Sequence, residues 1–349
     1  MNLSNRINAF AKLGQQIEQL NNGTSESLLQ NDFNDLLIKA EQFNPWFTQK
    51  YLYLAFDNII KMLDKLALEN WVYSYSDYKF EDSNIRVGVI MAGNIPLVGF
   101  HDFLSVLISG KVFLGKLSSN DQFLLPFISN MLINIEKEFE NKIQFAEHLM
   151  KDFDAVIATG SNNSSRYFDY YFGKYPNIIR SNRNSVAILT GEETNEQLEA
   201  LGRDIFFYFG LGCRSVSKLM LPAGYSIPHL LDNLEKYNFV REHTKYLNNY
   251  EYNKSLLLIN KEPHFDNGFL ILRENGALAS PISIINYEYY SDLDAEIRRF
   301  SMKNDDIQCV LSEVKDIKNV VSLGESQSPS LMEYADNVDV ISFIEGLGE

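Results

Sequence analysis

The sequence predicts an α/β protein in which a helical segment precedes two domains built on parallel sheets. Three observations carry that expectation. A chain of 349 residues is long enough for two cores of ordinary domain size. Residues 1–80 place apolar side chains at helical spacing, as in Leu36-Leu37-Ile38 and in Phe47, Leu52, Phe56, Ile59-Ile60 and Leu63. From Ile85 onward, short β-branched runs alternate with amphipathic stretches, the pattern of right-handed βαβ units.

In chain order, Ile85–Ala92 reads as the first strand and breaks at Gly93-Asn94. Pro96 predicts the first turn of a helix with Leu97, Phe100, Leu104, Leu107 and Ile108 on one face, stopped by Gly110. Lys111–Gly115 is a short strand, followed by a helix opening near Ser118, Ser119 and Asp121, then a strand at Lys142–Phe145. Asp154–Ala158 is a strand ending in Thr159-Gly160-Ser161, with a helix through Arg166–Phe172. Ser185–Leu189 is a strand, and Thr194 with Gln197 spells a capping box that opens a helix to Phe209. Further strands are expected near Val216–Leu221, Leu256–Ile259, Phe269–Leu272, Ile282–Asn286 and Ile307–Leu311. The boundary is expected near 208–213. Residues 1–208 would then hold the helical segment and a cofactor domain, and residues 209–349 a catalytic domain. Parallel sheets of this kind place binding sites at the carboxyl ends of their strands.

Composition narrows the function classes. A net charge of −15 argues against a nucleic-acid binder, whose affinity depends on Lys and Arg neutralising phosphates, but leaves room for a local basic pocket. Two cysteines do not make a disulfide framework, and the first residues do not begin a signal peptide. The longest apolar runs are too short to span a bilayer, so a cytoplasmic protein is expected. The 24 Phe and 19 Tyr read first as core filling, and second as the lining of an acyl channel. His101, His148, His229, His243 and His264 include no pair at metal-ligand spacing, and no metal is expected. Neither G-x-G-x-x-G nor G-x-S-x-G occurs.

The candidate chemistry centres on Cys213, in Phe209-Gly210-Leu211-Gly212-Cys213-Arg214-Ser215. A thiol there has small neighbours and room for a substrate; taken alone it reads first as packing at a helix end. Cys309, inside an apolar strand, reads as a buried, inert thiol. Asn94 is either a turn residue or an oxyanion donor, working with the backbone N–H of Cys213. Thr159-Gly160-Ser161 ends a strand and opens a helix, where a pyrophosphate can accept backbone and hydroxyl hydrogen bonds; a plain N-cap at Ser161 is as economical. Lys116 reads by default as a surface lysine, but with Ser118 and Ser119 it stands where a cofactor ribose or phosphate would lie, and a serine at 119 leaves space for a 2′-phosphate. His101 is read as structural, with an approach to the site as the alternative.

Ala92-Gly93-Asn94-Ile95-Pro96-Leu97, Gly115–Ser119, Thr159-Gly160-Ser161 and Gly210-Leu211-Gly212-Cys213 follow one another in an order that resembles the aldehyde dehydrogenase superfamily. In detail, and in the tail Ser326–Asp336, the chain is similar to the acyl-CoA reductase branch that includes the reductase subunit of bacterial luminescence. That resemblance implies an aldehyde-dehydrogenase-like fold of two Rossmann-like domains. It implies NADPH-dependent reduction of a long-chain acyl thioester, acyl-CoA or acyl-protein, to fatty aldehyde through acyl-Cys213, with NADH left open as the reductant. Asn94 would be the oxyanion donor, and Lys116, Ser118, Ser119, Thr159, Gly160, Ser161 and Glu274 would contact the cofactor. An acyl-transferring partner protein and a homo-oligomer remain open. Hydrolytic relatives carry a Glu-Leu-Gly-Gly segment whose Glu activates water; the matching stretch here, Ile179–Val186, has no carboxylate. Arg180 and Arg183 within it are read as phosphate contacts or as surface charges. The rival readings are NAD-dependent aldehyde oxidation and a non-catalytic acyl- or nucleotide-binding subunit.

Overall fold

The computed structural model describes residues 1–301, 305–314 and 320–348. They form two compact units, Met1–Asn182 with Ser330–Glu349, and Arg183–Pro329. The break falls ahead of residues 208–213 because the strand from Asn184 and the capped helix after it belong with the second sheet. The residues from Ser330 return to the first unit.

The first unit opens with α1 (Leu3–Asn21), α2 (Ser27–Phe43), α3 (Gln49–Met62) and α4 (Lys65–Tyr73), as the apolar periodicity predicts. There follow β1 (Arg86–Ile90), α5 (Phe100–Ile108), β2 (Val112–Lys116), α6 (Leu124–Ile135), β3 (Ile143–Phe145), β4 (Ala155–Thr159), α7 (Asn162–Phe172) and β5 (Asn177–Arg180). The five strands pair in parallel in the order β3-β2-β1-β4-β5. Aromatic rings lock the helical layer to this sheet: Phe10 of α1 meets Phe103 of α5 edge-on at 6.4 Å, and Phe103 meets Phe113 of β2 at 5.0 Å.

Two helix starts differ from expectation. α5 begins at Phe100, not at Pro96, because Leu97 takes a left-handed φ of 60° that a helix cannot run through. α6 begins at Leu124, not near Ser118, because Ser118 and Asp121 pair in a short bridge ahead of it. The edge strand β5 was not anticipated; only four residues long, it offers too little alternation to stand out.

The second unit comprises β6 (Asn184–Ile188), α8 (Asn195–Phe206), β7 (Val216–Pro222), α9 (Ile227–Asn233), α10 (Thr244–Asn260), β8 (Phe265–Asp266), β9 (Ile271–Glu274), β10 (Ile284–Tyr290), α11 (Leu293–Ser301), β11 (Ile307–Leu311) and β12 (Val320–Val321). Its sheet runs β12-β11-β6-β7-β10-β9-β8, parallel except for β8 against β9. The capping box at Thr194 and Gln197 forms as the sequence spells it. The strand expected at Leu256–Ile259 is instead the last turn of α10. Tyr246, Tyr250, Asn253 and Leu257 make the buried stripe of that helix, and the helical period sends only Leu257 of the apolar run inward. Leu258 and Ile259 remain 58% and 76% exposed.

α12 (Val340–Glu345) closes the chain in the first unit. There Trp71 Nε1 donates to Tyr334 Oη at 2.7 Å, and Tyr334 Oη lies 2.7 Å from Tyr75 Oη, which donates to Asp339. In the second unit the carboxylate of Asp204, on α8, accepts from the backbone N–H of Gly324 and from the N–H and hydroxyl of Ser326, the latter two at 3.0 and 2.7 Å. Among the described residues, no helix is long and apolar enough to cross a membrane.

Asp204 is fully buried, and desolvation pushes its carboxyl up to about 6, against the pull of its donors. A folded-state value above the unfolded one means that the native state binds the proton more tightly. The cost of burying the ion is therefore present above about pH 6 and is relieved as pH falls toward about 4. Asp204→Asn removes this titration. The stability of wild type relative to Asp204→Asn should increase by about 2 kcal/mol between pH 7.5 and pH 4.5, measured by urea unfolding.

Candidate active site

In the first unit the strand order reverses beside β1: β2 and β3 lie to one side, β4 and β5 to the other. A crevice at the carboxyl ends of the strands is expected at such a reversal. The register places Ile90 level with Lys116 on β2 and with Ala158 on β4, so the loops after these three strands emerge together. Asn94, Ser118, Ser119, Gly160 and Ser161 lie on those loops, and Lys116 and Thr159 end β2 and β4.

Two of these loops touch. A Cβ on Gly93 would collide with Ser118 Oγ and stand 2.7 Å from Ser118 Cβ, so the Asn94 loop passes the Ser118 loop only because residue 93 is glycine. Just downstream, Asp121 Oδ2 accepts the N–H of Leu97 at 2.9 Å and so fixes the left-handed residue that follows Asn94-Ile95-Pro96. Burial raises the Asp121 carboxyl to about 6, against hydrogen bonds from the backbone of Leu97 and Leu124. Asn94 itself is exposed.

Ser161 caps α7 by accepting from Ser164 N at 3.2 Å, which is the plain N-cap the sequence allowed, and the two hydroxyls lie 3.1 Å apart. A Cβ on Gly160 would meet the Phe168 ring and Ser164 Cβ at 2.8 Å, so glycine is needed for close approach there too. Lys116 Nζ donates to the carbonyls of Ala146 and Glu147, at 3.4 and 2.7 Å, and tethers the loop after β3.

Arg180 differs from both readings of it. It is buried and forms a two-pronged ion pair with Asp102 of α5, at 2.7 and 3.1 Å. Arg183 Nη2 lies 3.8 Å from Asp305 Oδ1, and its Nη1 donates to the Ile307 carbonyl. His101 is within hydrogen-bond reach of the Leu331 carbonyl at 3.0 Å and packs against Trp71 and Tyr334, the structural role preferred for it.

In the second unit Cys213 is exposed on the turn that leads into β7, closed by Ser215 N donating to the Gly212 carbonyl at 3.0 Å. Ser185, fully buried at the start of β6, donates its hydroxyl to the Cys213 carbonyl at 2.9 Å. Gln327 Nε2 donates to Ser215 Oγ at 3.4 Å, so the tail motif Ser326-Gln327 reaches this turn. Cys309 is buried, and Arg214 Nη1 points at its sulfur at 3.3 Å.

Glu274 ends β9 and is exposed. Through Tyr287 it is level with Leu219, well along β7, whereas Cys213 precedes the start of that strand. The loop after Glu274 turns back, with the Leu278 carbonyl accepting from Ser217 Oγ at 2.8 Å and those of Ala277 and Ala279 from Asn286. Lys218, wholly buried in β7, pairs with Glu288 at 2.8 Å and also donates to the Asn275 carbonyl. Ser185 and Lys218 were not singled out in the sequence, and Asp121 was read only as a residue near a helix start. Only the polarity of Lys218 and Ser185 inside apolar strands marks them there.

Residues 15–228, more than half of the chain, match the family described as acyl-CoA reductase (LuxC). A long-chain acyl-protein thioester reductase of Aliivibrio fischeri is 23% identical over 189 residues, which cover 49% of this chain and 38% of that protein. The match therefore spans well under half the length of that relative. Aldehyde dehydrogenase from Bacillus cereus, solved as its NAD+ complex, superposes with a TM-score of 0.63 at 14% identity, covering 91% of this chain and 73% of that one. Aldehyde dehydrogenase 21 of Physcomitrella patens gives 0.61 at 12%, covering 97% and 84%. Glyceraldehyde-3-phosphate dehydrogenase GapN of Methanocaldococcus jannaschii, complexed with NADP, gives 0.60 at 13%, covering 93% and 82%. The chain belongs to the acyl-CoA reductase (LuxC) family, and its fold is aldehyde-dehydrogenase-like.

The contact of Gly93 with Ser118 yields a test. Gly93→Ala should lower stability by about 1–3 kcal/mol through overpacking, and Ser118→Gly in the same chain should restore most of it. Chemical denaturation of the two variants checks this.

Proposed function

Starting from that family membership, we propose that this chain reduces a long-chain acyl thioester, acyl-CoA or acyl-protein, to the fatty aldehyde, with NADPH as reductant. The observation that carries the reading is Cys213: an exposed thiol on a short turn whose carbonyl is held by a buried hydroxyl. Beside it stands the lack of any carboxylate in residues 179–186.

The fold family implies a nicotinamide dinucleotide, and the residues of the first unit fit one. The reversal at β1 and β4 and the N-terminus of α7 with the Ser161 and Ser164 hydroxyls suit a pyrophosphate, and Gly160 lets α7 pack closely beside it. Lys116, Ser118 and Ser119 would face the adenosine ribose. Lys116 would contribute charge, and the small Ser119 would admit the 2′-phosphate that favours NADPH over NADH. Glu274 enters as the ligand of the nicotinamide ribose on resemblance alone. When bound, the reduced dinucleotide supplies hydride to the acyl carbon.

The chain's own residues do the rest. The Cys213 thiolate attacks the thioester carbonyl, and the displaced thiol leaves as thiolate and takes a proton from solvent. Sulfur replaces sulfur, so the acyl-cysteine lies close in energy to the substrate and accumulates. The Asn94 side-chain amide and the Cys213 N–H hold the oxygen while it is negative, before and after reduction of the carbon. The tetrahedral thiohemiacetal then expels the Cys213 thiolate and releases aldehyde. With no carboxylate in 179–186 to activate water, the acyl-cysteine is spared hydrolysis and reaches reduction.

Cys213→Ala should abolish aldehyde formation from acyl-CoA and NADPH, and wild type alone should gain an acyl adduct on the Cys213 peptide in mass spectrometry. Unchanged turnover in Cys213→Ala would sink the reading. Asn94→Ala should lower kcat by about a hundredfold to a thousandfold, the cost of one oxyanion donor, with little change in the KM for acyl-CoA.

A further inference from the structure

We propose that Ser185 is a positioning residue for the nucleophile, holding Cys213 at the angle from which its sulfur attacks the acyl carbon. This rests on the reading of Cys213 given above. Ser185 is fully buried, and its hydroxyl donates to the carbonyl of Cys213 itself at 2.9 Å. The bond fixes the peptide plane that follows the nucleophile's Cα, and with it the base from which the side chain projects.

The sheet is shaped around this contact. β6 pairs with β7 through Ser185 and Val216, then through Val186 and Lys218, so Ser217 is an extra residue in β7. On its other side β6 pairs with β11 through Asn184 and Ile307, then through Ser185 and Cys309, so Gln308 is an extra residue in β11. Both neighbours of β6 thus bulge at Ser185. Bulges bend a strand locally and re-aim its side chains, and they gather beside active sites. Here the bulge in β7 comes just after the Cys213 turn. The partner of Ser185 across β6 and β11 is Cys309, whose sulfur receives Arg214, the residue next to Cys213. The turn is therefore held from the carbonyl of Cys213, from the side chain of Arg214 and, through Gln327, from Ser215.

Two further features mark the hydroxyl as the active part of Ser185. It sits among fully buried neighbours on β6, where Val186, Ala187 and Ile188 are all apolar, so an apolar residue would be the default at 185. And its acceptor is the backbone carbonyl of an exposed residue on a turn, so a buried hydroxyl is committed to the main chain of Cys213 itself.

The test is single-turnover acylation of Cys213 by a long-chain acyl-CoA, followed by mass spectrometry of the full chain. Ser185→Ala should acylate at least about tenfold more slowly, since small misplacements of a reacting group carry penalties of this size. Its KM for acyl-CoA should stay within about twofold of wild type, and so should alkylation of Cys213 by iodoacetamide, which accepts many approach angles. The isosteric pair Ser185→Thr and Ser185→Val separates hydroxyl from volume: Thr should acylate close to the wild-type rate and Val at the Ala rate. Wild-type acylation in Ser185→Ala, or equal rates for Thr and Val, overturns the proposal while leaving the reading of Cys213 intact. Equal loss of acylation and alkylation, or failure of all three variants to fold, assigns Ser185 a purely structural role and overturns it too. No adduct on Cys213 in wild type removes the reading of Cys213 and this proposal together.

Discussion

Parallel pairing is the constraint on which the rest of this structure depends. A parallel strand cannot return by a tight turn, so each connection must cross back over the sheet, most often through a helix, and parallel strands release their loops at the same edge. In the first unit this brings the loops after β1, β2 and β4 side by side without any further device. Asn94, Ser118 and Gly160 are scattered over almost 70 positions of sequence, on the order of 200 Å of extended chain. The sheet makes them neighbours along one edge. What the local sequence adds is permission for close approach, through the missing Cβ atoms of Gly93 and Gly160.

Edges alone do not fix loops, and here buried polar groups do so. Asp121 holds Leu97, Asp204 holds Gly324 and Ser326, Ser185 holds Cys213, and Lys218 holds Asn275. In each case a side chain on or beside a rigid element meets a backbone group on a loop. A desolvated carboxylate or ammonium is unfavourable in itself, and burial raises Asp121 and Asp204 and lowers Lys218. Such groups persist when the backbone donors and acceptors they satisfy would otherwise be left unpaired, at about 1–3 kcal/mol each.

The alternation of strands and helices was legible because burial on both faces of a parallel sheet leaves continuous apolar runs centred on Val and Ile, such as Val87–Ile90 and Ala155–Ala158. Leu256–Ile259 misled for the same reason: four apolar residues in a row look like a buried strand, and only the position of Tyr246, Tyr250 and Asn253 reveals the helix. Pro96 misled because its ring permits a helix start without requiring one, and the left-handed Leu97 next to it leaves no mark in the sequence. Arg180 could not be told from a surface charge, since its partner Asp102 is 78 positions away. Cys213 was visible through its glycines. Ser185 was not, because a lone serine in a strand has no local signature, and its acceptor is a backbone carbonyl that every residue carries.

The approach to Cys213 shows what that local silence conceals. After α8 the chain passes through Tyr208, Phe209 and Gly210, all left-handed, with φ of 52°, 56° and 74°. For glycine this is free, but for two aromatic residues it costs on the order of 1–3 kcal/mol apiece. Tyr208 and Phe209 are both buried, and the Phe209 ring lies 4.3 Å from that of His243 and 6.0 Å from that of Tyr246. Aromatic burial is worth a similar amount per side chain, so packing offsets the strain and makes the left-handed path the stable one. Asp204, on the last turn of α8, fixes the chain before this path, and Ser185 and Gln327 fix it after. These supports bond to the backbone of Cys213 and to Arg214 and Ser215 after it, so the turn is braced while the side chain of Cys213 stays exposed.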